Sequence, residues 1–206
     1  MKILPFCYLG EIWRETMSGL SFRRRKKRIN MAALQGAFIW IGEVVLAFGL
    51  ACILVYFFGL ALSNVGQSME PGIYSGDKVL VNRLAYRVKA PGYGDLIVFK
   101  PHGNENAHYH IKRVVGRPGD TVTIESGRVF INGELLEEKV LTEKMEEAGV
   151  AEGGITLGTD EFFVLGDNRN NSEDSRSADI GNVRREDILG EAWFLISPRE
   201  RFGWLQ

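Results

Sequence analysis

Val44-Val45-Leu46-Ala47-Phe48-Gly49-Leu50-Ala51-Cys52-Ile53-Leu54-Val55-Tyr56-Phe57-Phe58-Gly59-Leu60-Ala61-Leu62 runs for nineteen residues without a charge. At ~1.5 Å per residue, a helix of this length reaches about 28 Å, close to the hydrocarbon core of a bilayer. The apolar character extends back through Ala37-Phe38-Ile39-Trp40-Ile41, so a transmembrane helix is expected over 37–62. Glu43 interrupts it. A carboxylate at mid-bilayer costs a few kcal/mol, which places Glu43 near the inner interface. Upstream, residues 1–36 carry eight basic side chains against two acidic ones, most of them in Arg23-Arg24-Arg25-Lys26-Lys27-Arg28. Basic flanks stay cytoplasmic. The expected topology is a single pass through the plasma membrane, with the N-terminal tail inside and everything after Leu62 outside. A cleaved secretory leader is the rival reading, and Ala61-Leu62-Ser63 offers small residues two apart. Leader apolar cores run about 7–15 residues, however, and this one is longer and follows an extended tail, which favours an uncleaved anchor.

Beyond residue 62 the balance reverses, with 17 basic groups against 23 acidic. The 206-residue chain has a net charge of -1 only because its two ends cancel. That asymmetry marks two differently placed ends and does not suggest a nucleic-acid binder. Cys7 and Cys52 both precede residue 63, so no disulfide can form within 63–206. The texture there is β-rich. Val79–Leu84, Leu96–Phe99, Ile111–Val115, Thr121–Ile124, Val129–Ile131, Phe162–Leu165 and Ala192–Ile196 are short β-branched and aromatic runs. Ser75-Gly76-Asp77, Gly94-Asp95, Pro118-Gly119-Asp120, Ser126-Gly127 and Asn132-Gly133 punctuate them. Thr121–Asn132 reads as a hairpin, and Lys139–Ala148 as one short helix. The fold class is mainly β: a basic tail (1–36), a transmembrane helix (37–62) and an extracytoplasmic sheet domain (63–206), with 121–160 as a small excursion.

Gly66-Gln67-Ser68-Met69-Glu70-Pro71-Gly72 lies just past the apolar run. A serine on a tight Gly/Pro-flanked segment is a candidate nucleophile, and it needs a base. No His/Asp partnership stands out, but lysine serves if it is kept neutral. Lys112 sits in a strand-like run with Ile111, Val114 and Val115, and burial there would disfavour its ammonium form. The polar loop Gly166-Asp167-Asn168-Arg169-Asn170-Asn171-Ser172-Glu173-Asp174-Ser175-Arg176 is the third element. His102, His108 and His110 crowd into nine residues without cysteines or helical ligand spacing, so no metal is expected. The Asp167 loop is not a calcium loop, because Arg169 and Ser172 stand where a ligand and a glycine belong. No cofactor is expected.

Ser68-Met69-Glu70-Pro71 resembles the Ser-Met-x-Pro box of bacterial type I signal peptidases. Tyr93–Phe99 is similar to their second box, Lys112–Asp120 to the box with the catalytic lysine, and Gly166–Arg169 with Ser172 and Asp174–Arg176 to the last. Gly190-Glu191-Ala192-Trp193 adds to the likeness. The resemblance implies a membrane-anchored Ser/Lys serine endopeptidase, on a signal peptidase/LexA-like sheet fold, that removes signal peptides from exported preproteins. By that carry-over Ser68 is the nucleophile and Lys112 the general base. Ser172 orients the amine, Asp174 pairs with Arg176 to hold the loop, and Asp167 supports it. The Ser68 backbone N–H is the oxyanion donor.

Three departures stand out. Gly66 takes the place of a hydroxyl that some relatives add to the oxyanion site. Gly72 stands where threonine is common. His110 stands where an aromatic is common and shares a strand face with Lys112, so an imidazolium there would favour the neutral amine. An extended substrate is expected to pair with a sheet edge. Met69, Ile73, Ile97 and Phe99 are candidates both for pocket walls and for core. Two rival functions remain in view. A self-cleaving repressor-type protease would be soluble and carry a DNA-binding segment, neither of which fits. A catalytically specialised or inactive accessory of secretion or pilus assembly would be expected to lose Ser68 or Lys112, and both are present.

Overall fold

A computed structural model describes residues 31–104, 106–138, 140 and 143–205. The basic cluster of the tail lies outside these residues. Helix α1 spans Met31–Phe58 and contains a stretch, Leu34–Phe58, that is long and apolar enough to cross a membrane. Its side chains are exposed over most of that length, as a lipid-facing helix requires. Glu43 lies on α1 within this stretch. The helix stops four residues before the end of the apolar run. Gly59 N–H closes the last helical bond onto Val55 O at 2.8 Å. A side chain at position 59 would collide with that same carbonyl, 2.6 Å from its Cβ. The chain then extends into strand β1 (Leu60–Ser63).

The rest is antiparallel sheet. Strands β2 (Lys78–Asn82), β3 (Leu96–Phe99), β4 (His110–Gly116), β9 (Glu161–Leu165), β10 (Val183–Arg184) and β11 (Ile188–Ser197) join β1 in the order β1-β2-β11-β3-β4-β9-β10. A short β12 (Gly203–Trp204) pairs with β11. Helix α2 (Ala85–Val88) links β2 to β3. Between β4 and β9 the chain builds a second sheet from β5 (Thr121–Glu125), β6 (Arg128–Ile131), β7 (Glu134–Leu135) and β8 (Ile155–Thr156), ordered β7-β6-β5-β8. The mainly-β reading is thus met, and each of the seven sequence-predicted runs meets a strand, with Val79–Leu84 overrunning β2 by two residues. The helix expected over 139–148 is not found. Its described residues hold no helical turn, and one 3-10 turn follows at Gly149–Ala151. Met145 and Ala148 pack instead against the core of the second sheet, so tertiary contacts override helix propensity here.

Strand β3 is buried on both faces. Leu96 and Val98 pack with Met69, Ile73, Val79, Val81, Ile111, Ala192 and Leu195. Ile97 and Phe99 pack on the other side with Tyr86, Val114, Phe162, Val164, Ile180 and Val183. Met69, Ile73, Ile97 and Phe99 are each at most 1% exposed. They are core residues, not pocket walls. Burying Met69 contributes about 1.5–3 kcal/mol and fixes the backbone beside Ser68. A third cluster joins the second sheet to β4 and β9 through Val115, Phe163 and Leu165.

Candidate active site

Met69, anchored in the core, leaves Ser68 half-buried in the turn that follows β1, where Glu70 N–H bonds Gln67 O at 3.1 Å. Three chain segments line one cleft of about 530 Å³: residues 64–68, residues 108–112 and residues 170–173. Ser68, Lys112 and Ser172 therefore face the same space. His108 and His110 share its rim.

Register explains how Lys112 gets there. Strand β4 pairs with β3, setting Lys112 opposite Ile97, and Lys112 is only 3% exposed. Burial disfavours the ammonium and brings the amine from 10.5 down to about 8. The Asp174, Glu173 and Asp167 carboxylates pull it upward, while Arg176 pushes it down. His110 is held below its ordinary value of 6.5, first by burial and then by the Lys112 charge. The imidazolium invoked for tuning Lys112 is thus disfavoured at this site.

Long-range bonds stitch the 166–176 loop to the serine turn. Asn168 N–H donates to Ser68 O (3.0 Å). Asn168 Nδ2 donates to Gln67 O (3.2 Å), and Asn171 Nδ2 to Gln67 Oε1 (3.1 Å). Asp174 accepts from Arg176 Nε (2.8 Å) and Nη2 (3.0 Å), and from Gly166 N–H (3.1 Å). Arg176 Nη2 also caps Arg169 O. Asp167 forms a two-pronged pair with Arg113, at 2.7 and 2.8 Å, with side chains 1% and 6% exposed. Arg113 further donates to Gly94 O at 2.7 Å, which ties the turn before β3 to the loop. Arg169, buried beneath, pairs with Glu138. Arg113, Gln67, Asn168 and Arg169 went unassigned in the sequence. The only local signal is that Arg113 follows Lys112 on a strand and must point to the other face.

Breaking a buried pair leaves its partner's charge uncompensated. Asp167→Ala is therefore expected to cost about 3–5 kcal/mol, read as a lowered thermal midpoint. A shift no larger than that of a surface Asp→Ala control would show that the pair is not holding the loop.

Among the described residues, Ser172 Oγ is buried with no hydrogen-bond partner, and the Ser68 N–H has no intramolecular acceptor. A free backbone N–H beside a nucleophile is what a developing oxyanion requires. Gly66 has no side-chain donor to add. Among the described residues no cluster of His, Cys, Asp or Glu could hold a metal ion.

A serine hydroxyl and a buried lysine amine facing one cleft are groups suited to acyl transfer, the chemistry of a hydrolase. The model of the family described as "Signal peptidase, peptidase S26" matches residues 37–197. The chain is 36% identical to "Probable signal peptidase I-2" of a Synechocystis species, over 68% of this chain and 63% of that one. It is 38% identical to "Signal peptidase I" of Leptolyngbya laminosa, over 79% of each. A crystal structure of a signal peptidase I from Enterococcus faecalis is 31% identical and covers 50% of this chain and 97% of its own, with a TM-score of 0.41. The chain belongs to the signal peptidase family, peptidase S26. It is a peptidase carrying an N-terminal apolar helix that anchors it in a membrane.

Proposed function

We propose that this chain is a membrane-anchored serine endopeptidase that cleaves signal peptides from exported preproteins, with Ser68 as nucleophile and Lys112 as general base. The observation that carries the reading is that Ser68 and a 3%-exposed Lys112 line one cleft. Neutral Lys112 takes the Ser68 Oγ proton as Oγ attacks the scissile carbonyl carbon. The carbonyl π electrons move to oxygen, and the Ser68 N–H stabilises the charge. Collapse expels the new N-terminus of the mature protein, which receives the proton from the Lys112 ammonium. Water then attacks the acyl-serine with Lys112 again taking the proton, and Ser68 leaves reprotonated. Ser172 Oγ orients the amine, and the Asp174–Arg176 and Asp167–Arg113 pairs hold its loop. The segments 64–68 and 108–112 offer backbone to an extended signal peptide. The basic residues before the apolar run support a cytoplasmic N-terminus and an extracytoplasmic catalytic domain.

The test is incubation of the full chain in detergent with a labelled preprotein. One cut releasing the signal peptide is expected from the parent and none from Ser68→Ala. A parent that leaves the preprotein intact, or an alanine variant that cuts it, would overturn the proposal.

A further inference from the structure

A larger cavity, of about 930 Å³, shares only Tyr109 with the Ser68 cleft among the described residues. Tyr56 of α1, Arg83, Arg87, Lys100, Tyr109 and Arg185 line it. Among the described residues Arg83, Arg87 and Arg185 make no ion pair, and Arg83 Nε is buried without a hydrogen-bond partner. Glu186 and Asp187 also border the cavity, but both are paired with Arg184, at 2.8 and 3.7 Å.

The guanidiniums are held in place by rings and backbone. Arg83 lies 5.6 Å over Tyr56 and Arg87 5.6 Å over Phe57. Arg83 N–H donates to Phe57 O at 3.0 Å. Arg185 Nη2 donates to Tyr86 O at 2.9 Å and Lys89 O at 3.1 Å. Stacking restrains a guanidinium by its face and leaves its edge N–H groups for a planar or tetrahedral oxyanion.

Position identifies the anion. Tyr56 and Phe57 belong to the last turn of α1, whose apolar stretch ends at Phe58. Residues at that depth meet the headgroup layer, where aromatic rings concentrate. Phe58 also approaches Trp193, which stacks on the exposed Trp204, at 6.2 and 5.0 Å between ring centroids. A cationic pocket opening at this level faces lipid phosphate at far higher local density than any soluble anion. We propose that this cavity binds the phosphate of an anionic lipid headgroup, clamped by Arg83 and Arg87 with Lys100 and Arg185 closing the far side. Such a lipid would fix the catalytic unit against the membrane surface beside the cleft.

The test is native mass spectrometry of the full chain in detergent, titrated with dioctanoyl phosphatidylglycerol or dioctanoyl phosphatidylcholine. Phosphatidylglycerol is expected to bind about tenfold more tightly, and Arg83→Gln/Arg87→Gln to remove that preference. If the double variant does not fold, Arg87→Gln alone, at an exposed side chain, is expected to weaken phosphatidylglycerol several-fold, with Arg87→Lys retaining most of it. Equal binding of the two lipids, or unchanged affinity in the glutamine variants, would overturn the proposal. Displacement of the lipid by an equal concentration of inorganic phosphate would overturn it too, because the cavity would then be a site for free phosphate.

Discussion

Lys112→Arg is expected to lower kcat/KM by about 10⁴-fold, to background, in a chain that still folds and inserts. Guanidinium keeps its proton at any working pH, so it cannot take one from Ser68. Lysine can, because burial lowers its pKa to about 8. At pH 7 about one-tenth of the amine is then neutral, against roughly one part in three thousand for an unperturbed lysine. In the parent, kcat/KM should climb with pH and level off above about 8, reporting the free enzyme's base. Stability carries a matching signature. The folded pKa is depressed, so below pH 8 Lys112 is charged both folded and unfolded, and the cost of burying that charge, about 3 kcal/mol, is fully present. Between about 8 and 10.5 the unfolded chain holds more protons than the folded one, and stability rises with pH. Above that window the penalty is gone. Lys112→Met should therefore be inactive yet more stable than the parent at pH 7, and its stability should not rise across this window. An active arginine variant, or a methionine variant less stable than the parent, would remove Lys112 as the buried base.

The sheet was legible where local chemistry agrees with the final packing. Leu96–Phe99 and Phe162–Leu165 are apolar runs bounded by turn residues, and both lie inside the large sheet, off its edges, with both faces covered. Strand β1 was hidden, because Leu60-Ala61-Leu62 continues the apolar run without a charge and only Gly59 marks the break. Strands β10 and β12 are two residues long and exist by virtue of their partners. The site divides in the same way. Ser68 and Lys112, which share one cleft, could be proposed from the sequence because their chemistry restricts the residue types and the flanking boxes fix their order. The ties that bring their segments together link residues 54 and 101 positions apart, as in Arg113–Asp167 and Gln67–Asn168. Nothing within a window of sequence encodes such contacts.

Gly166→Ala is expected to abolish most of the activity with a single added methyl. Its Cβ would lie 2.5 Å from Ser68 O and 2.6 Å from Ser172 Cβ, and would overlap Ser172 Oγ. Ser172 is a side chain and could rotate, but Ser68 O belongs to the backbone of the proposed nucleophile. That carbonyl is already held by Asn168 N–H, while Gly166 is pinned by its N–H to Asp174 and by its carbonyl to Arg169 Nε at 3.0 Å. Neither strand end can yield without moving Ser68 relative to Lys112. Overpacking of this kind costs about 1–3 kcal/mol of stability, and a displacement near 1 Å in a catalytic pair costs about 10²-fold in rate. A kcat/KM at least a hundredfold below the parent is expected, together with a modestly lowered thermal midpoint. The double variant Gly166→Ala/Ser172→Gly, compared with Ser172→Gly alone, separates the causes. It relieves the side-chain overlap but not the contact with Ser68 O, so its activity should stay well below that of Ser172→Gly. Equal kcat/KM in the two would show that Ser172 alone was obstructed. Gly166 would then have no part in seating the nucleophile.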